Sequence, residues 1–450
     1  MRWTLTEIAA ATGGRLRGDG STEVEGVTQD SRDVQPGMLF VPLVAERDGH
    51  DFIADAVAAG ASAYLSAREP SVSGAAAVRV DDTLGALTAL AREARRRLGA
   101  VPVVGITGSV GKTTTKDLLA AVLGRDRRVW ASARSFNNEI GVPITLLAAP
   151  DGTEALVVEM GSRGPGHIAE LCRIARPIMG VVTAVGLSHT SELGSLAAVV
   201  SAKQELVESL PAGAAGGVAF LNAGVPEVAA MAEATEARVV TFGDGGQVSA
   251  RSLELDDKLT PRFVLHSPQG EIDVELGARG VHSVDNALAA AAVGLELGVS
   301  LEDVAAGLAT PTLSPLRMEV LRTAEGARLL NDSYNANPLS MRAALHALAA
   351  LPAKRRIAVL GAMAELGEFE AAEHAAIGSL AGQLGVEVIA VDTPDYASGG
   401  AVIEAEGIDG ALETLRDLGG LGAGDAVLVK GSRVAGLEHL AARLVAGSDA

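Results

Sequence analysis

The chain has 450 residues, 48% of them hydrophobic and 21% charged, the balance of a globular protein with material for about three domains. Its formal net charge of -19 argues against general affinity for nucleic acid or for an anionic membrane surface. One cysteine, Cys172, excludes an intrachain disulfide and is typical of a reducing compartment. No apolar run reaches the ~18 residues of a membrane span, and Glu7 interrupts the region where a signal peptide is apolar. We therefore expect a soluble, cytoplasmic protein without a nucleic-acid partner or a membrane insertion.

Short apolar runs and helical periodicity alternate at the start of the chain. Strands are predicted at 38–43 and 76–80, with a helix at 51–61 between them. Pro102 and the Val- and Ile-rich run around it then mark a domain boundary. These patterns predict a small α/β domain over residues 1–98.

Apolar strands alternate with helical segments from residue 99 to residue 310, as in a parallel sheet that helices cover on both faces. A polar, strand-rich patch at 247–281 precedes an alanine-rich helix at 285–298, and Pro311 and Pro315 bracket a linker. Beyond the linker the alternation returns, which predicts a further, separate α/β domain. The strand candidates are 101–107, 154–160, 177–185, 216–222, 327–333, 356–363, 386–392 and 425–432. The predicted fold is therefore α/β, with three domains at 1–98, 99–310 and 311–450.

The strongest local signal is the segment VVGITGSVGKTTTKDLL at 103–119, in which a strand leads through a glycine turn into a helix. Gly108 and Gly111 allow the backbone to approach phosphate, Lys112 can reach the β and γ phosphates, and Thr113 offers a hydroxyl to Mg²⁺. This pattern predicts nucleoside triphosphate binding. It names no reaction, because such loops serve kinases, motors, switches and ligases. The predicted nucleotide loop consists of Thr107, Gly108, Ser109, Val110, Gly111, Lys112 and Thr113.

Two polar residues follow apolar strands of the central region and are candidate metal ligands. Glu159 ends the strand EALVVEM, and His189 follows the next apolar strand. Ligands gather at the carboxyl ends of strands in open α/β sheets, although Glu159 also fits a solvated strand end and His189 a packing or surface position. Lys203 lies on a predicted helix at 197–210. Its i+3 and i+4 neighbours are apolar, so no ion pair with an acid explains it and its role stays open.

Three further residues suit a nucleotide, and each also fits a cap or turn position. Asn286 opens the alanine-rich helix, where its amide could read an adenine edge. Arg317 follows the linker prolines and carries the forked donors of a phosphate clamp. Asp332 closes a strand at a position suited to ribose hydroxyls. Lysines are rare here, since they make up six of 37 basic residues, which raises interest in each: Lys112, Lys116, Lys203, Lys258, Lys354 and Lys430.

Taken together, these segments resemble the Mur ligases, ATP-dependent enzymes that add amino acids to the peptidoglycan precursor. The resemblance runs along the whole chain, and the N-terminal stretches at 28–43 and 48–52 look like that family's uridine-diphosphate-binding region. The other segments that carry it are GITGSVGKTTTK, SFNNEIGVPITLL, VVEMGSRGPGHI, GLSHTSELGS, AKQELVES, HSVDNALAAA, LRMEV, NDSYNANPLSM and VLVKGSR. It implies a small N-terminal α/β domain for the UDP-linked precursor, a central P-loop ATPase domain with a parallel sheet, and a C-terminal Rossmann-like ligase domain.

The subclass follows from DSYNANPLSM, FNNEIGVP and VLGAMAELGE, which resemble the member that adds D-alanyl-D-alanine to UDP-N-acetylmuramoyl-tripeptide. The ligase that adds the third residue usually carries an Ala-His-Thr-Pro run and an Asp-Asn-Pro-Arg signature, and the chain contains neither. The resemblance implies an enzyme that uses ATP and Mg²⁺ and forms the pentapeptide precursor through an acyl phosphate. A sister ligase that adds a single amino acid and a nucleotide-gated P-loop binding protein remain alternatives. The oligomeric state stays open, with a monomer compatible with the sequence.

The resemblance also implies residue roles. Lys112, Lys203 and His189 would be catalytic, and Lys203 matches the lysine that is carbamylated in much of this family. Metal binding would fall to Thr113, Glu159, His189 and Lys203, and contacts to the adenosine diphosphate portion to Asn286, Arg317 and Asp332. The chain departs from the family pattern at Ser283 and His167. The substrate-binding candidates are Ser31 and Arg32 near the uracil nucleotide, Asn137 and Asn138, and Asn335 and Asn337 near the incoming dipeptide.

Overall fold

A computed structural model describes residues 1–70, 72–133, 135–188 and 190–447 of the chain. It confirms the predicted α/β class, because strands and helices alternate throughout and the two largest sheets are mainly parallel. Every helix in the described part of the chain is too short or too polar to cross a membrane.

The N-terminal part contains an antiparallel strand pair and a five-stranded mixed sheet. Its elements are β1 (Arg2–Thr4), α1 (Leu5–Thr12), β2 (Arg15–Arg17), β3 (Glu23–Glu25), β4 (Val27–Thr28), β5 (Leu39–Phe40), α2 (Ile53–Ala58), β6 (Ala63–Ser66), β7 (Ala76–Arg79) and α3 (Thr83–Leu98). Helix α1 begins with a capping box, in which Thr4 and Glu7 each accept a hydrogen bond from the backbone N–H of the other. The five strands lie in the order β2-β7-β6-β5-β4.

The central part is built on a six-stranded parallel sheet. Its elements are β8 (Val103–Thr107), α4 (Lys112–Leu123), β9 (Val129–Ala131), α5 (Gly141–Leu147), β10 (Ala155–Glu159), α6 (His167–Ala175), β11 (Met179–Val182), α7 (Thr190–Leu193), α8 (Leu196–Glu208), β12 (Val218–Asn222), α9 (Pro226–Ala229), β13 (Arg238–Phe242), β14 (Ser249–Leu255), β15 (Pro261–Ser267), β16 (Gly270–Glu275), α10 (His282–Glu296) and α11 (Leu301–Ala309). Strands β8, β10, β11 and β12 are buried along their whole length because helices cover both faces, which explains their unbroken apolar runs.

The strand order of the central sheet is β13-β12-β11-β8-β10-β9. After β8 the chain first builds β9 and β10 on one side and then β11 to β13 on the other. The carboxyl end of β8 is therefore a topological switch point, where open α/β sheets bind ligands. Strands β14, β15 and β16 form a separate antiparallel sheet and account for the polar patch seen in the sequence.

The C-terminal part has a second six-stranded sheet. Its elements are β17 (Glu319–Arg322), β18 (Arg328–Asn331), α12 (Pro338–Ala350), β19 (Arg355–Leu360), α13 (Glu370–Gln383), β20 (Glu387–Val391), β21 (Val402–Ala405), α14 (Gly407–Asp417), β22 (Asp425–Lys430) and α15 (Glu438–Ala446). The order is β17-β18-β22-β19-β20-β21, and all neighbours except β17 and β18 are parallel. The last strand, β22, thus lies between β18 and β19, so the loops that follow these three strands meet at one edge of the sheet.

Candidate active site

The nucleotide loop connects β8 to α4 and packs tightly against two neighbouring side chains. Gly108 and Gly111 have φ values of +146° and +84°, which residues with a side chain rarely adopt. A Cβ atom at Gly108 would overlap the Thr183 hydroxyl, and one at Gly111 would overlap the Asn286 side-chain oxygen. Because Gly111 is the N-cap of α4, the amides of the first helical turn have no side-chain cap and can bind an anion.

Lys112 and Thr113, the first residues of α4, face the end of β10. The Lys112 ammonium donates to the Gly108 carbonyl at 2.6 Å. Burial lowers the pKa of Lys112, an effect that the nearby Glu159 carboxylate opposes. Glu159 accepts one hydrogen bond from the Thr113 hydroxyl at 2.8 Å and another from the Asn137 amide at 2.9 Å. Thr113 at the start of α4 and Glu159 at the end of β10, both predicted metal ligands, are therefore in direct contact.

Lys203 lies on α8 with only 1% of its surface exposed. Burial and the positive charge of Lys112 lower its pKa to about 7. Within the described ranges its ammonium has no hydrogen bond and no ion pair. Glu205 instead accepts from the backbone amides of Gly166 and Ala169 at the start of α6. The structure thus places the buried Lys203 near the half-buried Lys112, and the carboxylate of Glu205, the acid closest in sequence to Lys203, binds the start of α6.

Arg317 connects the linker to the nucleotide loop. Its guanidinium stacks on the Tyr334 ring, 4.0 Å from the centroid, and donates to the Ser135 hydroxyl at 2.9 Å. The Ser135 and Thr113 hydroxyl oxygens are 3.4 Å apart, so Arg317 reaches the phosphate end of the site. Its Nε atom is buried and has no partner among the described residues, which leaves a donor for an anion.

The buried Lys430 pairs with the partly buried Asp332 at the edge of the C-terminal sheet. The Lys430 ammonium donates to Asp332 Oδ2 at 2.5 Å and to the Asn335 carbonyl at 2.8 Å. Asp332 Oδ1 accepts from the Met318 amide at 3.1 Å. Sequence reasoning missed the role of Lys430 in ordering this loop. The available signal was that Lys430 is one of the six lysines and ends a strongly apolar strand.

Asn286 is the point where α10 contacts the nucleotide loop. Its side-chain oxygen accepts from the Thr115 hydroxyl at 3.2 Å, and its amide nitrogen donates to the His282 carbonyl at 3.3 Å. Beside it, the Asn222 amide donates to Asp285 at 3.3 Å and to the Thr183 carbonyl at 3.2 Å. Burial raises the pKa of Asp285. This corner therefore presents polar groups to a nucleotide next to the loop glycines.

A cavity of about 730 Å³ lies between the central and C-terminal parts and collects most of the predicted residues. Asn337, the N-cap of α12, closes it by donating to the Ser109 carbonyl at 3.4 Å. Thr107, Gly108 and Lys203 lie behind the lining, and His189 lies outside the described residues. The predicted residues that line the cavity are Ser109, Val110, Gly111, Lys112, Thr113, Asn137, Asn138, Glu159, Asn286, Arg317, Asp332, Asn335 and Asn337.

The structure does not bring Ser31 and Arg32 to this cavity. They follow β4 in the N-terminal part, where the exposed Arg32 guanidinium pairs with Asp30 at 2.5 Å. That contact lowers the pKa of Asp30 to about 2. A role of these residues in nucleotide binding stays a prediction.

The described side chains include no cluster of three His, Cys, Asp or Glu residues that could hold a metal by themselves. The oxygen atoms of Thr113 and Glu159 beside the phosphate loop are nevertheless the ligands that Mg²⁺ takes when substrate phosphates and water complete its shell. The residues present therefore fit a nucleotide-bound Mg²⁺ ion.

Comparisons with known proteins agree with this geometry. The family model of the Mur ligase middle domain matches residues 106–294, and that of the Mur ligase glutamate ligase domain matches residues 316–433. The UDP-N-acetylmuramoyl-tripeptide--D-alanyl-D-alanine ligase of Mycobacterium tuberculosis is 41% identical over 98% of each chain. The Escherichia coli enzyme of the same name is 35% identical over 97% of each chain.

Solved structures show the same three-domain fold. MurF from Acinetobacter baumannii superposes with a TM-score of 0.90 at 31% identity over 99% of each chain. MurF from Thermotoga maritima, solved in complex with ADP, has a TM-score of 0.81 at 28% identity and covers 94% of this chain and 97% of its own. From its full-length similarity and its fold, the chain belongs to the Mur ligase family.

Proposed function

We propose that this chain is the ATP-dependent ligase that joins D-alanyl-D-alanine to UDP-N-acetylmuramoyl-tripeptide. Relatives of that name match along the full length of the chain, and a structural neighbour was solved with ADP. The observation that carries the proposal is the contact of Thr113 with Glu159 at the start of α4, opposite a second wall of polar loops.

We assign precursor binding to residues 1–98, ATP binding to 99–310 and dipeptide binding to 311–450. Because ATP and a nucleotide-linked precursor are its substrates, we place the reaction in the cytoplasm.

The chemistry requires no protein nucleophile. The terminal carboxylate of the tripeptide attacks the γ-phosphorus of ATP, and the bond to ADP breaks. The amine of the dipeptide then attacks the acyl carbon, the bond from carbon to phosphate oxygen breaks, and the amine releases a proton. Lys112 and the buried Nε donor of Arg317 neutralise charge on the phosphoryl group in transit. Contacts across the cavity, such as Asn337 with Ser109, hold amine and acyl phosphate together.

Mg²⁺ would be held by Thr113 and Glu159 and would neutralise negative charge on the phosphates. Lys203 is a third candidate because its ammonium forms no hydrogen bond or ion pair with the residues that the structure describes and lies near the positive charge of Lys112. The neutral Lys203 amine can add CO₂ and release one proton, which forms a carbamate anion. This change places a negative charge beside the Lys112 cation and supplies oxygen ligands near the phosphates. His189 completes the set of proposed ligands by resemblance alone.

The test is phosphate release with ATP, Mg²⁺ and UDP-N-acetylmuramoyl-tripeptide, with D-alanyl-D-alanine present or omitted, followed by the mass of the product. We expect release that depends on the dipeptide and a pentapeptide product. Lys112→Ala should abolish release, whereas the exposed Lys354→Ala serves as the matched control. Release without any amine would instead indicate a nucleotide-gated binding protein, and release with a single amino acid would indicate a sister ligase.

A further inference from the structure

Three loops form the wall of the cavity that faces the nucleotide loop. They follow β18, β22 and β19, which are neighbours in the C-terminal sheet. Ser432 joins them, since its hydroxyl accepts from the Ala364 amide at 2.8 Å and donates to the Ala336 carbonyl at 3.3 Å. The wall is therefore one connected surface at the carboxyl edge of a parallel sheet, where such folds bind ligands.

The cations that line the cavity on the C-terminal side differ in what they can still bind. Lys430 is 1% exposed and its ammonium is shared between Asp332 and the Asn335 carbonyl. Arg317 lies at the phosphate end, stacked on Tyr334. Arg433 is different, because its side chain is 60% exposed and, within the described residues, contacts a single carboxylate, that of Glu438 at 3.1 Å. An arginine has five N–H donors in a fork, so Arg433 can bind a second carboxylate.

Apolar surface lies next to this guanidinium. Val434 is 81% exposed, more than any other large hydrophobic side chain in the described part of the chain, and it lines the cavity. Leu339, at 36% exposure, and Ala343 on α12 line the same cavity, as does Ala364 in the loop after β19. An exposed guanidinium that keeps donors beyond its pair with Glu438, beside uncovered aliphatic groups in a cavity, suits a ligand that carries a carboxylate and small apolar side chains.

We propose that Arg433 and Val434 form the subsite for the terminal carboxylate and the C-terminal methyl group of the incoming dipeptide. The proposal rests on the ligase function above and names the group that recognises the C-terminal end of the incoming dipeptide. Arg433 ends VLVKGSR, one of the segments that carry the family resemblance.

The orientation of the dipeptide follows from the two ends of the wall. Asn337 touches the Ser109 carbonyl of the nucleotide loop, so this end lies nearest to the acyl phosphate and receives the attacking amine. Arg433 and Val434 lie at the exposed rim. An extended dipeptide spans about 7 Å, which separates its amine from its carboxylate and directs the carboxylate towards the rim.

The alternative role of Arg433 is structural, because Glu438 is the first residue of α15 and Arg433 could merely hold it there. The two roles predict different responses to a substrate without a carboxylate. Steady-state kcat/KM is therefore measured for D-alanyl-D-alanine and for its C-terminal amide, with wild type, Arg433→Gln, Arg433→Lys and Arg443→Gln. Arg443 is a matched control, since it pairs with Asp409 on α14 and does not line the cavity.

We expect wild type and Arg443→Gln to prefer the acid over the amide by about 10- to 100-fold, the effect of a charge-assisted hydrogen bond. In Arg433→Gln, kcat/KM for the acid should fall by that factor through a higher KM, while kcat/KM for the amide stays unchanged, so that the variant uses both substrates alike. Arg433→Lys should recover part of the preference for the acid. KM for ATP should stay unchanged in every variant, which also shows that the variants fold.

An equal loss on acid and amide in Arg433→Gln would overturn the proposal and assign Arg433 a structural role. Equal use of both substrates by wild type would overturn it as well. If wild type turns over neither dipeptide but uses a different amine, the proposed function itself has failed, an outcome distinct from failure of the Arg433 subsite.

Discussion

The low pKa of Lys203 leads to a prediction about CO₂. With a pKa of about 7, roughly three quarters of Lys203 is neutral at pH 7.5, whereas a lysine with the ordinary value of 10.5 is neutral in about one molecule in a thousand. Only the neutral amine adds CO₂. Burial therefore raises the fraction of Lys203 that can form a carbamate by close to a thousandfold, and we expect this residue to be carbamylated at neutral pH.

The assay is initial phosphate release in CO₂-free buffer and after addition of bicarbonate. We expect activity to fall on removal of CO₂ and to return with bicarbonate, and ¹³C-bicarbonate to give one carbamate resonance in the protein. Lys203→Ala should lose about 100-fold or more of the activity and regain part of it when bicarbonate occupies the vacated space. Lys354→Ala, in which an exposed lysine is removed, should behave as wild type in all these measurements.

The pH dependence has a defined sign. As pH falls through about 7, Lys203 takes up a proton and can no longer carry CO₂, so the activity that depends on the carbamate should decline below that pH. The reasoning is refuted if CO₂-free wild type keeps full activity and shows no carbamate resonance, or if Lys203→Ala is fully active without bicarbonate.

Three further predictions concern single residues. Gly111→Ala should abolish binding of a fluorescent ATP analogue while circular dichroism stays unchanged, because the new Cβ overlaps Asn286 at a φ of +84°; retained binding would contradict the proposed loop packing. Arg317→Ala should raise KM for ATP by about 10- to 100-fold, and Arg317→Lys by less, since lysine has no forked donors; an unchanged KM would remove Arg317 from the phosphate site. Burial raises the pKa of Cys172 to about 12, so a thiol reagent at neutral pH should label the protein only in denaturant, and rapid labelling of the native protein would contradict this burial.

Local sequence was sufficient for the nucleotide loop and for the approximate order of strands and helices. The loop residues lie within seven positions of one another, and their roles depend on backbone amides and glycine conformations that a short segment encodes. The contact of Glu159 with Thr113 was also predictable, because parallel strands end at a common edge of the sheet. For Lys203, the sequence predicted its helix and the lack of an acid at the spacing of an ion pair. The burial of its side chain could not be predicted from the sequence.

Sequence by itself determined that this chain is α/β, that it binds a nucleoside triphosphate, and which family it resembles. Only the tertiary structure decided which distant loops meet. Lys430 contacts Asp332 across 98 positions, and Ser432 contacts Ala336 across 96, because β22 inserts between β18 and β19. Strand order of this kind depends on how whole helical and sheet layers pack, whereas residue patterns report the local period of each element. For that reason the exposed pair Arg433 and Val434 became a candidate subsite only in the folded chain.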